Sequence, residues 1–320
     1  MRKGLIAPTA LIGALVLYSL VNPLRTEHLA MLGAATGFWF MSRMTRHFVL
    51  SFVPFCLFVW MYDLLRIFAD TAAAKATVAG VHQLELLLFG WTFNDGTRLT
   101  LNEIFATAHH QVIDVIGGLW YASHVGVIIL LGVYLWWRHQ RKGSEDEPSG
   151  VMLHRFLWGF LVLNIGMFTI NLLFPVAPPW YITEYGYMPA SVDVIGNPAA
   201  LARLDQFLGI EYFATVYSKS AYVYGAMPSG HTAYAVWFAL HMRGTGFRMA
   251  GWFYAGVMGF FAVYLNHHYL LDVMAGTTLA VSVYFLFRST PLRRIPCAVQ
   301  KLLRNRFLQA DPVLAQVRGL

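Results

Sequence analysis

The chain has 320 residues, of which 58% are hydrophobic and only 12% charged. A water-soluble domain carries about a quarter charged residues, so the composition excludes an ordinary soluble enzyme and makes the bilayer the solvent. The formal charge of +7 raises the question of nucleic acid, which the placement of the bases answers below.

A membrane-crossing helix needs about 20 mostly apolar residues. In chain order the candidates lie at roughly 4–22, 48–68, 111–137, 154–174, 229–242, 249–266 and 269–287, with a shorter run at about 29–41. Arg2 and Lys3 precede the first run as in a signal peptide, but no small-residue cleavage site follows, so a retained span is expected. The amphipathic run from Val78 to Phe89, followed by the turn signal Asn94-Asp95-Gly96, predicts a helix lying in the outer interface. Residues 138–153 read as a solvated cytoplasmic linker. Residues 175–228, rich in Pro, Tyr and Gly, form the longest polar-containing stretch, and a loop of that length usually carries function. Trp136, Trp137, Trp158, Trp180 and Trp252 fall near span ends, as interfacial anchors do.

The fold class implied is an all-α polytopic membrane bundle, with a six-helix catalytic core and N-terminal accessory helices. Residues 1–46 form the accessory segment, 47–290 the catalytic domain and 291–320 a basic cytoplasmic tail. With eight spans and a cytoplasmic N-terminus, 17 of the 23 bases fall on one side of the membrane and 12 of the 16 acids on the other. Positive-inside bias therefore places both termini in the cytoplasm and explains the basic charge without nucleic acid. Cys56 and Cys297 lie at different membrane levels and do not pair, and no Cys cluster suggests a metal.

Two constellations put ionisable groups where a membrane protein tolerates them only for a use. Pro228-Ser229-Gly230-His231 opens one span. Free amides at a helix start, beside the small Ser229 and Gly230, make an anion site. His267-His268-Tyr269-Leu270-Leu271-Asp272 opens the last span. His268 and Asp272, four apart, share a helix face, while His267 points about 100° away. The base count puts both motifs at one outer level. A carboxylate bonded to one imidazole nitrogen leaves the other free as a nucleophile, and a second histidine can protonate a leaving oxygen. That set supports phosphoryl transfer through a phosphohistidine, with no metal and no cofactor.

These motifs resemble the second and third signatures of the type 2 phosphatidic acid phosphatase superfamily. The resemblance implies His268 as nucleophile, Asp272 as its orienting partner and His231 as general acid. The chain is more similar still to the inositol phosphorylceramide synthase branch. Carrying that likeness are Tyr62-Asp63-Leu64-Leu65-Arg66, Phe174-Pro175-Val176-Ala177-Pro178-Pro179-Trp180, Leu201-Ala202-Arg203-Leu204-Asp205, Tyr224 to His231 and His267-His268-Tyr269. The phosphatase pattern also has a Lys and an Arg in its first signature, and an Arg six residues before the nucleophile. Here Ala262 holds the latter place, and Phe174 to Trp180 contains no base. A site short of cations suits a singly charged phosphodiester better than a phosphomonoester.

The resemblance thus implies transfer of phosphoinositol from a glycerophospholipid donor to a lipid alcohol, ceramide. Arg66, Arg203 and Lys219 are the outer cations available to the phosphate, with Asp63 beside Arg66 and Asp205 beside Arg203. Asp63 with Arg66 reads equally as a helix-end pair. His109, His110, Asp114, Tyr121 and His124 read either as site lining or, more commonly for such groups, as a polar seam between helices. Two other functions remain open: a lipid phosphate phosphatase with water as acceptor, and a transport or lipid-binding protein, which predicts paired broken helices in related halves.

Overall fold

The computed structural model describes residues 6–142, 148–243, 246–289 and 291–308. In chain order its helices are α1 (Ile6–Ser19), α2 (Thr26–Met41), α3 (Arg43–Ser51), α4 (Val53–Leu64), α5 (Ala69–Lys75), α6 (Ala79–Phe89), α7 (Leu101–Thr107), α8 (Gln111–Ala122), α9 (His124–Lys142), α10 (Pro148–Leu173), α11 (Pro179–Tyr185), α12 (Ala202–Leu208), α13 (Tyr212–Ser218), α14 (Gly230–His241), α15 (Arg248–Tyr264), α16 (Leu270–Ser289) and α17 (Ile295–Phe307). The protein is an all-α integral membrane bundle. Helices α10 and α16 are each long and apolar enough to cross a membrane, and two bent helix pairs raise the number to four if each pair is one span.

That is fewer than the eight apolar runs. Helix α14 has 12 residues and is therefore about 18 Å long, well short of a hydrocarbon core of about 30 Å. The expected run 229–242 coincides with α14, so it is a short helix and not a full span. The run at 111–137 is broken by a 45° bend between α8 and α9. Ser123 sits at the break, its hydroxyl bonding the Trp120 carbonyl at 2.5 Å and lying 2.7 Å from the Tyr254 hydroxyl, and such competition with the helix ladder is a recognised cause of kinks.

The chain divides into two compact groups. The first comprises Met1–Val59, Tyr134–Leu161 and Ser289–Leu320. In it Trp39 and Leu50 are buried against Val49, Phe307 and Leu308. The described residues of the expected accessory segment 1–46 and tail 291–320 fall in this group, together with part of the expected catalytic domain, while 1–5 and 309–320 lie outside the described residues. The second group, Trp60–Val133 and Val162–Arg288, holds every candidate site residue.

Within the second group, α14 packs closely on α15, where a Cβ at Gly251 would stand 3.1 Å from the Ala239 Cα. Helix α10 stops before Pro175, as the restriction on the residue preceding proline requires. The chain then runs extended between two other segments. Val176 N donates to Tyr224 O (2.9 Å) and Ala226 N to Val176 O (3.2 Å), while Thr77 N donates to Pro175 O and Ala177 N to Thr77 O, each at 3.0 Å. These two isolated parallel bridges fix the height of Ala226, which matters below. Trp180 is buried with Ala73, Val78, Ala177, Tyr181 and Tyr224, so it is a packing residue and not the interfacial anchor its position suggested. The predicted turn at Asn94-Asp95-Gly96 closes a hairpin of β1 (Trp91–Thr92) and β2 (Arg98–Leu99), with Gly96 at φ +83°.

Candidate active site

Helix α14 starts at an N-cap, Ser229, whose hydroxyl accepts from Thr232 N at 3.3 Å. Its first intrahelical bond runs from Ala233 N to Ser229 O, so the amides of Gly230 and His231 precede the ladder. Helix α16 starts just beyond the second motif. Asp272 Oδ2 reaches back to accept from Tyr269 N at 2.8 Å, and Asp272 N donates to Tyr269 O at 3.1 Å, a reciprocal cap. The two starts are bonded to each other, Ser229 N donating to Asp272 O at 2.9 Å. Only glycine at 276 allows this approach, because a Cβ there would lie 2.4 Å from Ser229 O.

The structure brings His231, His268 and Asp272 together, although 37 residues separate the two histidines. His268 Nε2 lies 3.4 Å from His231 Nδ1. Its Nδ1 lies 2.9 Å from the Ala226 carbonyl and 3.7 Å from Asp272 Oδ2. The sequence suggests that Asp272 bonds the imidazole directly from one helix face. Instead His268 precedes the helix, the carboxylate stands at ion-pair distance, and a backbone carbonyl holds the ring. A carbonyl only accepts, so Nδ1 carries the hydrogen and Nε2 presents its lone pair. Asp272 is fully buried and its Oδ1 has no hydrogen-bond partner among the described residues.

His267 is not turned away as a continuous helix would have it. It stacks between Tyr121 (centroids 5.1 Å, 14°) and Tyr217 (4.8 Å, 26°), and its Nε2 bonds the Pro198 carbonyl at 3.0 Å. Burial pushes its imidazole down to about 3, so it is neutral. Tyr121 also stacks on His231 at 3.7 Å and 12°, and the His124 ring lies 4.0 Å from that of His231. The polar group on α8 and α9 therefore splits. Tyr121 and His124 line the site, whereas Asp114 forms a seam with Arg203 (3.1 Å), His109 (3.2 Å) and the Tyr264 hydroxyl (2.8 Å). His110 caps α8, its Nδ1 accepting from Val112 N at 3.2 Å.

Three positioning residues escaped the sequence reading. Glu85, with no exposed surface, accepts from Leu270 N at 2.9 Å and Leu271 N at 3.1 Å, capping α16 from α6. Burial pushes its carboxyl up, against the lowering effect of those two amides. Asn102 Nδ2 donates to Val263 O and His268 O, both at 3.0 Å, and Ala226 supplies its carbonyl. Glu85 had one legible signal, as the only acid in the apolar run from Val78 to Phe89.

The PAP2 superfamily pattern matches residues 97–286, a stretch that includes both histidine motifs. The chain belongs to the PAP2 superfamily. It is 33% identical over 276 residues to the phosphoinositol dihydroceramide synthase of Bacteroides thetaiotaomicron, covering 82% of this chain and 84% of that one. It is 29% identical to the inositol phosphorylceramide synthase catalytic subunit of Saccharomyces cerevisiae, covering 81% of this chain and 61% of that one. The corresponding Schizosaccharomyces pombe subunit is 35% identical over 64% of this chain and 46% of its own length. No solved structure matches the chain.

The cations of this PAP2 enzyme are largely engaged. Arg66 bonds Asp63 at 2.8 Å, the Ser220 carbonyl at 3.3 Å and the Lys219 carbonyl. Arg203 bonds Asp114 and faces the carbonyls of Ala106 (3.3 Å) and Phe105 (3.5 Å). Asp205 caps α13, accepting from Phe213 N at 3.1 Å and Ala214 N at 2.9 Å. Lys219 is exposed at the end of α13. Asp63, Arg66, Arg203 and Asp205 thus each have a structural partner, and Ser229 with Gly230 lies directly at the histidine pair.

Proposed function

We propose that this PAP2 enzyme transfers phosphoinositol from a glycerophospholipid to a ceramide-type lipid alcohol through a phosphohistidine on His268. The observation that carries the reading is the Nε2 lone pair of His268, fixed by the Ala226 carbonyl and facing His231 across 3.4 Å. The donor phosphate replaces that contact.

In the first step His268 Nε2 bonds to phosphorus and the ester bond to diacylglycerol breaks. Protonated His231 gives its proton to the departing oxygen. The phosphorylated ring keeps its Nδ1 hydrogen and is therefore a cation, whose charge the buried Asp272 carboxylate offsets from 3.7 Å. Neutral His231 then takes the proton of the acceptor hydroxyl. That oxygen attacks phosphorus and the P–N bond breaks, restoring both rings. The leading amides of α14 receive the phosphoryl oxygens. The engagement of Arg66 and Arg203 supports a diester donor, because the second negative charge of a phosphomonoester would find both of these guanidiniums already bonded. In the same reading both termini are cytoplasmic and the site faces the opposite side.

The test is to incubate purified protein in detergent with labelled phosphatidylinositol, with and without ceramide. The expected products are a ceramide-dependent phosphoinositol lipid and diacylglycerol. Dephosphorylation of phosphatidate with phosphatidylinositol untouched would overturn the reading in favour of a phosphatase with water as acceptor.

A further inference from the structure

A basic pocket is formed wholly within the first compact group, whereas every candidate site residue belongs to the second. It has a volume of about 600 Å³ and is lined by Arg43, Met44 and His47 from the first turns of α3 and by Trp137, Gln140 and Arg141 from the last turns of α9. Arg43 and His47 are four apart, as are Trp137 and Arg141, so each helix turns one face to the pocket. Phe48 and Trp136, edge to face at 5.1 Å, pack the two helices together.

The cations of this pocket are unspent. Arg66 and Arg203 are bonded to acids, and Arg46 to the Trp39 carbonyl at 2.7 Å. Among the described residues Arg43 and Arg141 have no such acceptor. The Arg141 guanidinium instead stacks over Trp137, its carbon 4.0 Å from the ring centre, which orients the planar fork and leaves its N–H edge open. The only described acid of this group is Glu27, bonded to Arg25 at 3.2 Å. It stands at the far end of the 16-residue α2, roughly 20 Å along the helix from Arg43. Glu145, Asp146, Glu147 and Asp311 lie outside the described residues.

Two open guanidiniums, with His47 and Gln140 between them in the chain, call for an anionic oxygen ligand. Met44 and the Trp137 ring add apolar wall, and a Trp followed by Arg138, Arg141 and Lys142 marks the level at which a span leaves the hydrocarbon. An amphiphile meets both demands, with its phosphate on the arginines and its glycerol and acyl root on Met44 and Trp137. A head group with its own ammonium would set that cation against both guanidiniums, so the occupant carries net negative charge.

We propose that the pocket between α3 and α9 binds the head group of an anionic phospholipid of the surrounding bilayer, with Arg43 and Arg141 on its phosphate. Basic pockets between membrane helices recognise lipid in this way. In the proposed topology the lipid belongs to the cytoplasmic leaflet. Bridging two helices, it stabilises the first group by mass action and takes no part in phosphoryl transfer.

Native mass spectrometry of the detergent-solubilised full chain, titrated with phosphatidylglycerol or phosphatidylcholine of the same acyl chains, tests the site. The parent should hold phosphatidylglycerol roughly tenfold more tightly than phosphatidylcholine. Arg43→Gln should weaken phosphatidylglycerol binding about fivefold and Arg43→Gln/Arg141→Gln roughly 25-fold, as expected for one and two bases beside a lipid phosphate. Lys301→Gln/Arg306→Gln removes the same charge from exposed positions of α17 that do not line the pocket and should change binding less than about twofold. Phosphatidylglycerol should also raise the thermal unfolding midpoint of the parent and leave that of Arg43→Gln/Arg141→Gln unmoved, the two proteins unfolding alike without added lipid. Equal weakening by the two double variants would mean attraction to diffuse positive charge, and equal binding of the two lipids would mean no selectivity for an anion. Protection by inorganic phosphate as strong as that by phosphatidylglycerol would put a free anion in the pocket. Each of these three results overturns the proposal.

Discussion

His268 Nδ1 is held by the Ala226 carbonyl at 2.9 Å, a shorter contact than the 3.7 Å to Asp272. The ring's tautomer and orientation are therefore set by backbone, and the carboxylate contributes charge. Where an acid alone sets the tautomer, its amide replacement costs about 10⁴-fold in kcat. Here Asp272→Asn should cost only about 10- to 100-fold, since the carbonyl still holds Nδ1–H. His268→Ala should abolish turnover with expression intact. Steady-state rates of the two variants check this, and an Asp272→Asn loss as complete as that of His268→Ala would show that the acid, not Ala226, governs the ring.

Glu85 places both carboxylate oxygens on the first amides of α16, where a negative charge also complements the helix dipole. Glu85→Gln turns one acceptor into a donor facing an amide N–H. We expect kcat to fall roughly tenfold, in line with other groups that orient a reacting side chain from behind, with KM for the donor unchanged. Glu85→Asp, a methylene shorter, should restore little. A Glu85→Gln enzyme with parental kcat would reduce the residue to a packing role.

The contrast between Glu85 and His231 shows what a linear reading reaches. The two histidine motifs were legible because each is local, a cap and a short spacing at a helix start. The turn at Asn94-Asp95-Gly96 was legible for the same reason, though not the two short strands that it joins. Glu85 bonds residues 185 and 186 positions away, and Ala226 meets His268 across 42. No spacing rule encodes such pairs. Arg203 was counted among the outer cations available to the phosphate; its partner Asp114 stands 89 residues earlier.

His267 should make the fold acid-sensitive. Its ordinary value is 6.5 and burial lowers it to about 3. Between those limits the unfolded chain binds a proton that the folded chain excludes, so stability is fully present above about pH 6.5 and declines as pH falls toward 3. His267→Phe retains a ring between Tyr121 and Tyr217 but cannot titrate. It also strands the Pro198 carbonyl, so its stability at neutral pH should drop by about 1–3 kcal/mol. The inactivation midpoint in detergent should therefore fall less between pH 7.5 and 5 in the variant than in the parent. Equal falls would place the acid sensitivity elsewhere.

Two glycines offer opposite outcomes from the same substitution. At Gly276 an added methyl would stand 2.4 Å from the Ser229 carbonyl oxygen, a backbone atom at the start of α14, whereas at Gly256 it meets nothing within 4 Å. Overpacking against backbone costs about 1–3 kcal/mol, and here the strain moves Ser229 relative to Asp272, whose carbonyl accepts the Ser229 amide. Gly276→Ala should therefore lower both thermal stability and kcat, because the helix starts bearing His231 and Asp272 are pushed apart. Gly256→Ala, in the middle of α15, should raise stability by about 0.5–1 kcal/mol through the helix preference of alanine over glycine. It should leave kcat unchanged. Thermal inactivation and turnover measured side by side decide the matter: a Gly276→Ala protein with parental kcat would show that the contact between the two helix starts is not what holds the histidine pair in register.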